Sequence, residues 1–249
     1  SLGCLVKPIH CIPDGTFPRG AEPLPNNLID LGNAVKKHDA DIGIATDPDG
    51  DRLAIVDENG NPLGEEYTLV ICADGYFKSS SFLSPIITNL STTMAMDKIA
   101  EKYGVKVIRS AVGEINVVNK MIEVGALFGG EGNGGVILSE SHYGRDSLVG
   151  TAMILNRMIQ DNMKVSEIFN SMPQYVIVKD KISIKGLDPE LLIKKVELEY
   201  KNNNLDFSDG LKVSWENSWV HIRKSNTEPI IRIYAEAATK QDAKKIVNN

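Results

Sequence analysis

The strongest constraint on the fold is an alternation of strand-like and helix-like segments in the middle of the chain. Apolar runs at 85–90 and 105–109 are each followed by a helical pattern, at 92–103 and 114–125. Parallel neighbouring strands need a long crossover connection, which is usually a helix. The alternation therefore predicts an α/β fold in which helices cover a parallel sheet.

The N-terminal segment shows a related pattern. Strand-like runs at 5–12 and 41–45 enclose a helical pattern at 28–38, which predicts a βαβ-type piece. Because this piece begins inside a strand pattern, we expect the first half of its domain to lie upstream of Ser1.

After residue 172 the pattern changes to strands around a charged helix. Strand-like runs occupy 175–179, 182–185, 212–215 and 230–235, and helical patterns occupy 189–200 and 239–247. This arrangement is typical of an α+β domain. The sequence thus predicts mixed α/β domains at 1–64 and 65–172, followed by a smaller α+β C-terminal domain at 173–249.

One helical pattern has an especially clear period. Leu148, Ala152, Leu155 and Ile159 are spaced four, three and four residues apart, opposite Arg157, Gln160 and Asp161. This spacing places the apolar residues on one face of a helix. We expect that face to pack against the rest of the protein.

Charge and hydropathy exclude several classes of function. The formal net charge is -6, whereas a protein that neutralises many nucleic-acid phosphates has a basic surplus. No apolar stretch reaches the ~18 residues of a membrane span, and the first residues lack a signal-peptide pattern. Cys4, Cys11 and Cys72 form no CxxC pair, as expected in a reducing compartment. We expect a cytoplasmic protein without nucleic-acid or membrane partners, and its oligomeric state stays open.

Three aspartates, two residues apart, directly follow an apolar run. Asp47, Asp49 and Asp51 lie in TDPDGDR after IGIA, and side chains at this spacing point to one side of an extended backbone. Carboxylates this close repel unless a cation joins them, and hard oxygen ligands favour Mg²⁺ or Ca²⁺. Arg52 completes this aspartate loop (residues 47–52) and can hold a phosphate by a bidentate contact.

Two other interpretations of the aspartate loop stay open. In an EF-hand, Asp47, Asp49 and Asp51 would take positions one, three and five, and Glu58 position twelve. Arg52, however, stands where that loop needs glycine, and strand-like segments stand where it needs helices. A solvated acidic turn without a ligand is the simpler alternative.

A glycine-rich loop at 129–135 reads GGEGNGG and places Glu131 and Asn133 among five glycines. Glycine lets the backbone approach a ligand closely, and a carboxylate and an amide can bind neighbouring sugar hydroxyls. An ordinary glycine-rich hairpin is the alternative.

A cationic loop at 223–232 reads RKSNTEPIIR. Arg223 and Arg232 can fork onto a phosphate. Its remaining acceptors can be met by Ser225, Asn226, Thr227 and backbone N–H groups. A polar surface turn in which Arg223 pairs with Glu228 is an equally simple explanation.

In this order and spacing, the three loops resemble those of the α-D-phosphohexomutases, the superfamily of phosphoglucomutase, phosphomannomutase and phosphoglucosamine mutase. TDPDGDR is similar to the family's metal loop, GGEGNGG to its sugar loop and RKSNTEP to its phosphate loop. STTMAMDKIA and VGEINVVNKM are also similar to family segments. The resemblance runs nearly from end to end.

The resemblance implies a role for each loop. Asp47, Asp49 and Asp51 would bind Mg²⁺, and Arg52 would be a catalytic residue near the reacting phosphate. The substrate-binding residues would be Glu131, Asn133, Arg223, Ser225, Asn226, Thr227 and Arg232. The implied reaction interconverts hexose 1-phosphate and 6-phosphate through a phosphoserine and a bisphosphate. Phosphoglucomutase/phosphomannomutase is the first expectation, with phosphoglucosamine mutase or a non-catalytic sugar-phosphate-binding fragment as alternatives.

The sequence departs from the family in three places. Asn133 and Gly135 stand where many relatives have serine and histidine, and Glu114 where some have a histidine, so no residue is assigned to proton transfer. The family's phosphoserine lies in Ser-His-Asn-Pro, whereas the Ser141–His142 pair is followed by Tyr143. We therefore expect the domain that carries this serine to be missing from the chain, which by itself should be inactive.

Overall fold

The computed structural model of the chain describes residues 2–184, 188–225 and 228–248. Asn226 and Thr227, two of the predicted phosphate-binding residues, lie outside these ranges. The chain forms two compact units, each from two stretches of sequence: residues 1–83 with 132–172, and residues 84–131 with 173–249. The division into three domains at 64 and 172 stays a prediction.

The helices and strands alternate through most of the chain. In chain order they are α1 (Ile29–His38), β1 (Gly43–Thr46), β2 (Leu53–Val56), α2 (Glu65–Ser79), β3 (Ile86–Asn89), α3 (Ala95–Tyr103), β4 (Val107–Ser110), α4 (Glu114–Val124), β5 (Phe128–Glu131), β6 (Gly135–Leu138), α5 (Ser147–Asp161), α6 (Val165–Ser171), β7 (Val176–Ser183), α7 (Pro189–Glu199), β8 (Asn204–Asp206), β9 (Leu211–Ser214), β10 (Trp219–Lys224), β11 (Ile230–Ala237) and α8 (Lys240–Asn248). In the described parts of the chain, no helix combines the length and the apolar character that a membrane crossing requires.

The first unit contains an antiparallel hairpin of β1 and β2, in which Gly43 pairs with Val56 and Thr46 with Leu53. Its apolar side packs on α1 in a core of Leu28, Val35, Ala45, Ala54 and Val56. The aspartate loop is the turn of this hairpin, and two paired strands therefore fix both of its ends.

The predicted strand at 5–12 is wrong. Within the described residues this segment has no strand structure, and Leu5, Val6 and Ile12 are exposed. A strand needs a partner for its backbone N–H and C=O groups. An apolar run cannot form one alone, and β1 and β2 pair with each other.

Helix α5 packs on α2 through a face other than the predicted one. Its buried residues are Ser147, Gly150, Ile154 and Arg157, whereas Leu148 and Ile159 are 76% and 79% exposed. Arg157 is buried because its Nη2 donates to Asp74 Oδ2 of α2 at 2.7 Å. Hydropathy assigns arginine to the surface, so the sequence pattern could not reveal this buried ion pair.

The second unit contains a parallel sheet and an antiparallel sheet. In the parallel sheet β3 lies between β4 and β5, and Ile86 pairs with both Val107 and Phe128. The antiparallel sheet has the strand order β7–β11–β10–β9–β8, and the two runs predicted at its start form the single strand β7. One face of this sheet is apolar. Its core residues are Leu211, Val213, Val220, Ile222, Ile231, Ile233 and Ala235. The predicted fold class, mixed α/β followed by α+β, is confirmed.

Candidate functional site

The three aspartates form one cluster in the turn between β1 and β2. A carboxylate oxygen from each of Asp47, Asp49 and Asp51 lies within 4.8 Å of the others. Asp47 directly follows β1, and Asp51 lies two residues before β2, so both strands hold the cluster in place. Three carboxylates at this spacing suit a hard divalent cation such as Mg²⁺.

The EF-hand interpretation is wrong. An EF-hand loop joins two helices, whereas this turn joins two strands. Glu58, the residue at position twelve, instead accepts a hydrogen bond from the backbone N–H of Ser166 at 3.2 Å. Its carboxylate caps α6 and serves the fold.

The carboxylates of the cluster repel one another. Burial raises the pKa of Asp51 to about 6, and the neighbouring Asp47 carboxylate acts in the same direction. Burial has the same effect on Asp47, but the backbone N–H of Arg52, 3.0 Å from Asp47 Oδ1, holds the pKa of Asp47 below its usual value. Carboxylates that repel in this way gain stability when a divalent cation replaces the shared proton.

Arg52 lies against the same cluster. Its Nε is 3.5 Å from Asp47 Oδ2 and 3.8 Å from Asp51 Oδ1, and its Nη1 is 3.6 Å from Glu22 Oε1. The guanidinium is therefore near any phosphate oxygen that reaches a metal ion in the cluster. Its catalytic role stays a prediction.

A second arginine, which sequence reasoning missed, also contacts the cluster. Arg145 Nη2 donates a hydrogen bond to Asp51 Oδ2. The stem of Arg145 passes Gly135, where an added Cβ atom would collide with Arg145 Cδ. The contact was not predictable, because 94 residues separate Arg145 from Asp51.

The glycine-rich loop and the segment after it form backbone hydrogen bonds with the aspartate loop and with Leu53 next to it. Leu53 N donates to Gly134 O at 3.0 Å, and Ser147 N donates to Gly50 O at 3.3 Å. Gly134 has a φ of +88°, and an added Cβ atom there would collide with the carbonyl oxygen of Leu53. Asn133 Oδ1 accepts from Gly135 N at 3.2 Å. The side chain of Asn133 therefore helps to shape the turn that makes these contacts.

Glu131 lies at the end of β5 and is buried in the second unit. Its Oε1 accepts hydrogen bonds from Asn89 Nδ2 at 2.7 Å and from Gly113 N at 3.0 Å. Asn89 ends β3 and Gly113 precedes α4, so the carboxylate lies at the carboxyl edge of the parallel sheet. That edge is the usual place for a ligand in α/β sheets. An ordinary hairpin has no need of a buried, oriented carboxylate.

The cationic loop joins β10 to β11, where Arg223 and Arg232 are direct cross-strand partners. Arg223 Nε is buried and has no hydrogen-bond partner among the described residues. Ser225 is buried, its backbone N–H donates to Ile230 O at 2.9 Å and its Oγ accepts from Glu228 N at 3.3 Å. Glu228 pairs with Arg232 Nη2 at 3.0 Å, whereas the surface-turn alternative expected it to pair with Arg223.

The predicted site residues that the structure describes belong to two units. The first unit holds Asp47, Asp49, Asp51, Arg52 and Asn133, and the second holds Glu131, Arg223, Ser225 and Arg232. The partners that position them, Arg145, Asn89 and Gly113, had no signal in the sequence that singled them out.

Comparison with protein families gives matches along most of the chain. The matching models are described as phosphoglucomutase/phosphomannomutase, alpha/beta/alpha domain II at residues 1–60, alpha/beta/alpha domain III at 64–175 and C-terminal domain at 175–249.

Two curated proteins show the extent of the similarity. A phosphoglucomutase/phosphomannomutase from Thermococcus kodakarensis is 36% identical over 246 residues, which cover 98% of this chain and 54% of that protein. A probable phosphoglucosamine mutase from Methanopyrus kandleri is 32% identical over 248 residues, which cover 98% of this chain and 55% of that protein. The chain spans about half the length of the curated relatives it matches.

Two solved structures resemble the fold. A phosphoglucomutase/phosphomannomutase family protein from Burkholderia thailandensis has a TM-score of 0.76 at 26% identity, and the match covers 90% of this chain and 48% of that one. An N-acetylphosphoglucosamine mutase from Aspergillus fumigatus, in complex with GlcNAc-6P and magnesium, has a TM-score of 0.58 at 13% identity. That match covers 82% of this chain and 50% of that one, and it shows likeness of fold alone.

Proposed function

The chain belongs to the phosphoglucomutase/phosphomannomutase family, and from this premise we propose that it carries the metal-, sugar- and phosphate-binding loops of a phosphohexomutase. The reaction proposed for the whole protein interconverts hexose 1-phosphate and hexose 6-phosphate through a phosphoserine and a bisphosphate. The observation that carries the proposal is the aspartate cluster, whose three oxygens lie within 4.8 Å of one another.

In this proposal Asp47, Asp49 and Asp51 hold Mg²⁺. When bound, the ion offsets the charge that builds on a transferring phosphoryl group. The donor set fits this role because it consists of hard oxygens, and the magnesium complex of the fungal mutase with the same fold supports it. Arg52 and Arg145 hold the carboxylates in place, and Arg52 also offers a bidentate contact to a phosphate oxygen.

The remaining loops bind the substrate. We assign Glu131 and Asn133 to the sugar hydroxyls, and Arg223, Ser225, Asn226, Thr227 and Arg232 to the phosphate that does not react. The buried, two-fold hydrogen-bonded carboxylate of Glu131 supports its assignment. The unsatisfied Nε of Arg223, directly opposite a second arginine, supports a bound anion at the cationic loop. No residue is assigned to proton transfer.

For the preferred hexose, the support comes from the names of the relatives. The T. kodakarensis relative is named a phosphoglucomutase/phosphomannomutase, and we propose the same substrates for the whole protein. Phosphoglucosamine mutase activity is the second candidate, because other relatives of similar identity carry that name. The three free cysteines fit the reducing cytoplasm in which we place this function.

Calorimetry with glucose 1-phosphate in the presence of Mg²⁺ tests the proposed binding. We expect heat from the chain as it stands, and loss of that heat in an Arg223→Ala variant. Lys201→Ala removes an equal charge from an exposed position of the same unit and should change nothing. Absence of heat at millimolar ligand would contradict sugar-phosphate recognition by these loops.

A mutase assay separates binding from catalysis. The sequence contains no Ser-His-Asn-Pro, so we assign the phosphoryl donor to no residue of this chain and expect no turnover from it. Measurable conversion of glucose 1-phosphate by the purified chain would show that another residue carries the phosphoryl group.

A further inference from the structure

A row of three cations crosses the antiparallel sheet of the second unit. Arg223 of β10 pairs with Arg232 of β11, and Arg232 pairs with Lys181 of β7. Residues directly opposite on neighbouring strands point to the same face, and like charges in these positions destabilise a sheet. The repulsion along this row is relieved by a negatively charged group on that face.

A carboxylate of the same unit supplies part of that negative charge. Glu228 Oε2 pairs with Arg232 Nη2 at 3.0 Å. Lys181 is exposed, and its ammonium has no carboxylate partner among the residues that the structure describes. Asp180, the neighbouring residue on β7, also lines this surface, and its Oδ1 accepts a hydrogen bond from the backbone N–H of Lys181 at 2.7 Å. Among the described residues, the Lys181 ammonium at the β7 end of the row therefore has no direct ion pair.

The surface at this end is concave. A groove of about 320 Å³ lies over β7 and β11, and it is lined by Lys179, Asp180, Lys181, Glu228, Ile230, Arg232 and Tyr234. That volume is at the lower end of the range for small-molecule sites. The groove lies on the face opposite the apolar core that Ile231 and Ile233 form.

Tyr234 holds the cations around the groove. Lys179 Nζ lies 5.6 Å from the centroid of the Tyr234 ring, within reach of a cation–π contact. Arg232 Nη1 donates to the Tyr234 hydroxyl at 3.4 Å. Contacts that restrict long side chains before a ligand arrives reduce the entropy lost on binding. The groove is thus prepared for an anion.

We propose that this groove, with Lys179, Lys181, Arg232 and Tyr234, is a second oxyanion site that binds a compact polyphosphate such as pyrophosphate. Two lysines and an arginine supply charge-assisted donors, and the tyrosine hydroxyl supplies a neutral one. A long nucleic acid does not fit, because its affinity depends on many cations along an extended path. Arg232 borders both this groove and the cationic loop, whereas Lys179 and Lys181 belong to the groove alone.

Calorimetry with inorganic pyrophosphate tests the proposal. The measurements are made in EDTA, so that no metal ion at the aspartate loop contributes, and in an Arg223→Ala background, which removes the main donor of the cationic loop. We expect pyrophosphate to bind in this background. Adding Lys179→Ala and Lys181→Ala should raise its Kd by about tenfold or more, since two charge-assisted hydrogen-bond donors are lost. Adding Lys201→Ala should have no effect.

Two outcomes would overturn the second site. One is the disappearance of pyrophosphate binding with Arg223→Ala alone. The other is an equal loss of affinity from Lys201→Ala and from the groove lysines, since this would indicate a general charge effect. Unchanged emission of Trp215 and Trp219, both in this unit, confirms that the variants fold. The Lys179→Ala/Lys181→Ala variant should still bind glucose 1-phosphate. This measurement distinguishes a failure of the second site from a failure of the proposed function.

Discussion

Arg145 donates a hydrogen bond to Oδ2 of Asp51 and so leaves the second oxygen, Oδ1, for the aspartate cluster. Asp51 Oδ1 is buried and has no hydrogen-bond partner among the described residues. Arg145 is therefore a positioning residue for a predicted metal ligand. Two effects of its charge oppose each other, because it orients the carboxylate but also repels a divalent cation.

Replacing Arg145 decides between these effects. We expect Arg145→Gln to weaken Mg²⁺ binding about tenfold, the scale typical of lost contacts that orient a ligand. Calorimetric titration with Mg²⁺ at pH 8 measures the change. Lys37→Gln, an exposed charge in the same unit, is the control, and Asp49→Asn marks the loss of a ligand. Tighter Mg²⁺ binding in Arg145→Gln would show that repulsion dominates.

Gly134 and Gly64 form a matched pair for testing the contact between the glycine-rich loop and Leu53, at the end of the aspartate loop. Their φ angles are +88° and +91°, but only at Gly134 would a Cβ atom collide with a backbone atom, the Leu53 oxygen. We expect Gly64→Ala to cost about 1–3 kcal/mol of unfolding free energy through its backbone conformation alone (φ +91°, ψ 153°), which is almost restricted to glycine. Gly134→Ala should cost about 1–3 kcal/mol more. Urea unfolding followed by far-UV circular dichroism compares them, and equal costs would show that the loop relaxes freely.

The aspartate loop could be predicted because its determinants are local. Asp47, Asp49 and Asp51 lie within five residues of one another, between apolar runs that the sequence shows directly. Spacing alone then brings the carboxylates together. The same holds for most strands of the parallel sheet, whose apolar runs are short and bounded by helical patterns.

The remaining features depend on contacts between distant segments. Arg157 pairs with Asp161 on its own helix, but it also donates a hydrogen bond to Asp74, 83 residues away. Arg145 reaches Asp51 across 94 residues. The run at 5–12 has the composition of a strand without a partner. Hydropathy and spacing contain no information on such pairs. The prediction from sequence therefore placed the packing face of α5 wrongly and did not include the contacts between the glycine-rich loop and the aspartate loop.

His221 gives the second unit a dependence on pH. Its Nε2 lies 2.6 Å from the carbonyl oxygen of Asp209, so that nitrogen carries the proton, and Nδ1 lies 2.8 Å from Ser91 Oγ. Burial lowers the pKa of His221 to about 4 from its usual 6.5. The backbone carbonyl and the carboxylate of Asp209 partly oppose this lowering of the pKa, whereas the positive charges of Lys212 and Arg223 add to it.

The sign of the effect follows from the lowered pKa. Above pH 6.5 the imidazole is neutral in both the folded and the unfolded chain. Between pH 6.5 and 4 the unfolded chain takes up a proton that the folded chain refuses, so stability falls as the pH falls. We expect His221 to contribute about 2–3 kcal/mol to the loss of stability between pH 7.5 and 4.5. Urea unfolding followed by tryptophan emission should show a shallower pH dependence for His221→Gln, and identical slopes would contradict the assignment.

Glu131 distinguishes a sugar-binding carboxylate from a structural one. In Glu131→Gln the amide oxygen can still accept from Asn89 Nδ2 and Gly113 N, which lie 2.7 and 3.0 Å from Oε1, so the cost in stability should be only about 1 kcal/mol. Glu131→Ala leaves both donors unsatisfied and should cost about 2–4 kcal/mol. Glu123→Gln, at an exposed position of α4, is the control for charge.

The affinity for glucose 1-phosphate then tests whether the negative charge of Glu131 contributes to sugar binding. A carboxylate accepts hydrogen bonds from hydroxyls more strongly than an amide does. We therefore expect Glu131→Gln to lose about tenfold in affinity, measured by calorimetry, while its unfolding curve stays close to that of the unaltered chain. If the affinity is retained instead, Glu131 serves only to tie β5 to β3 and α4. The glycine-rich loop would then be the ordinary hairpin that its composition also allows.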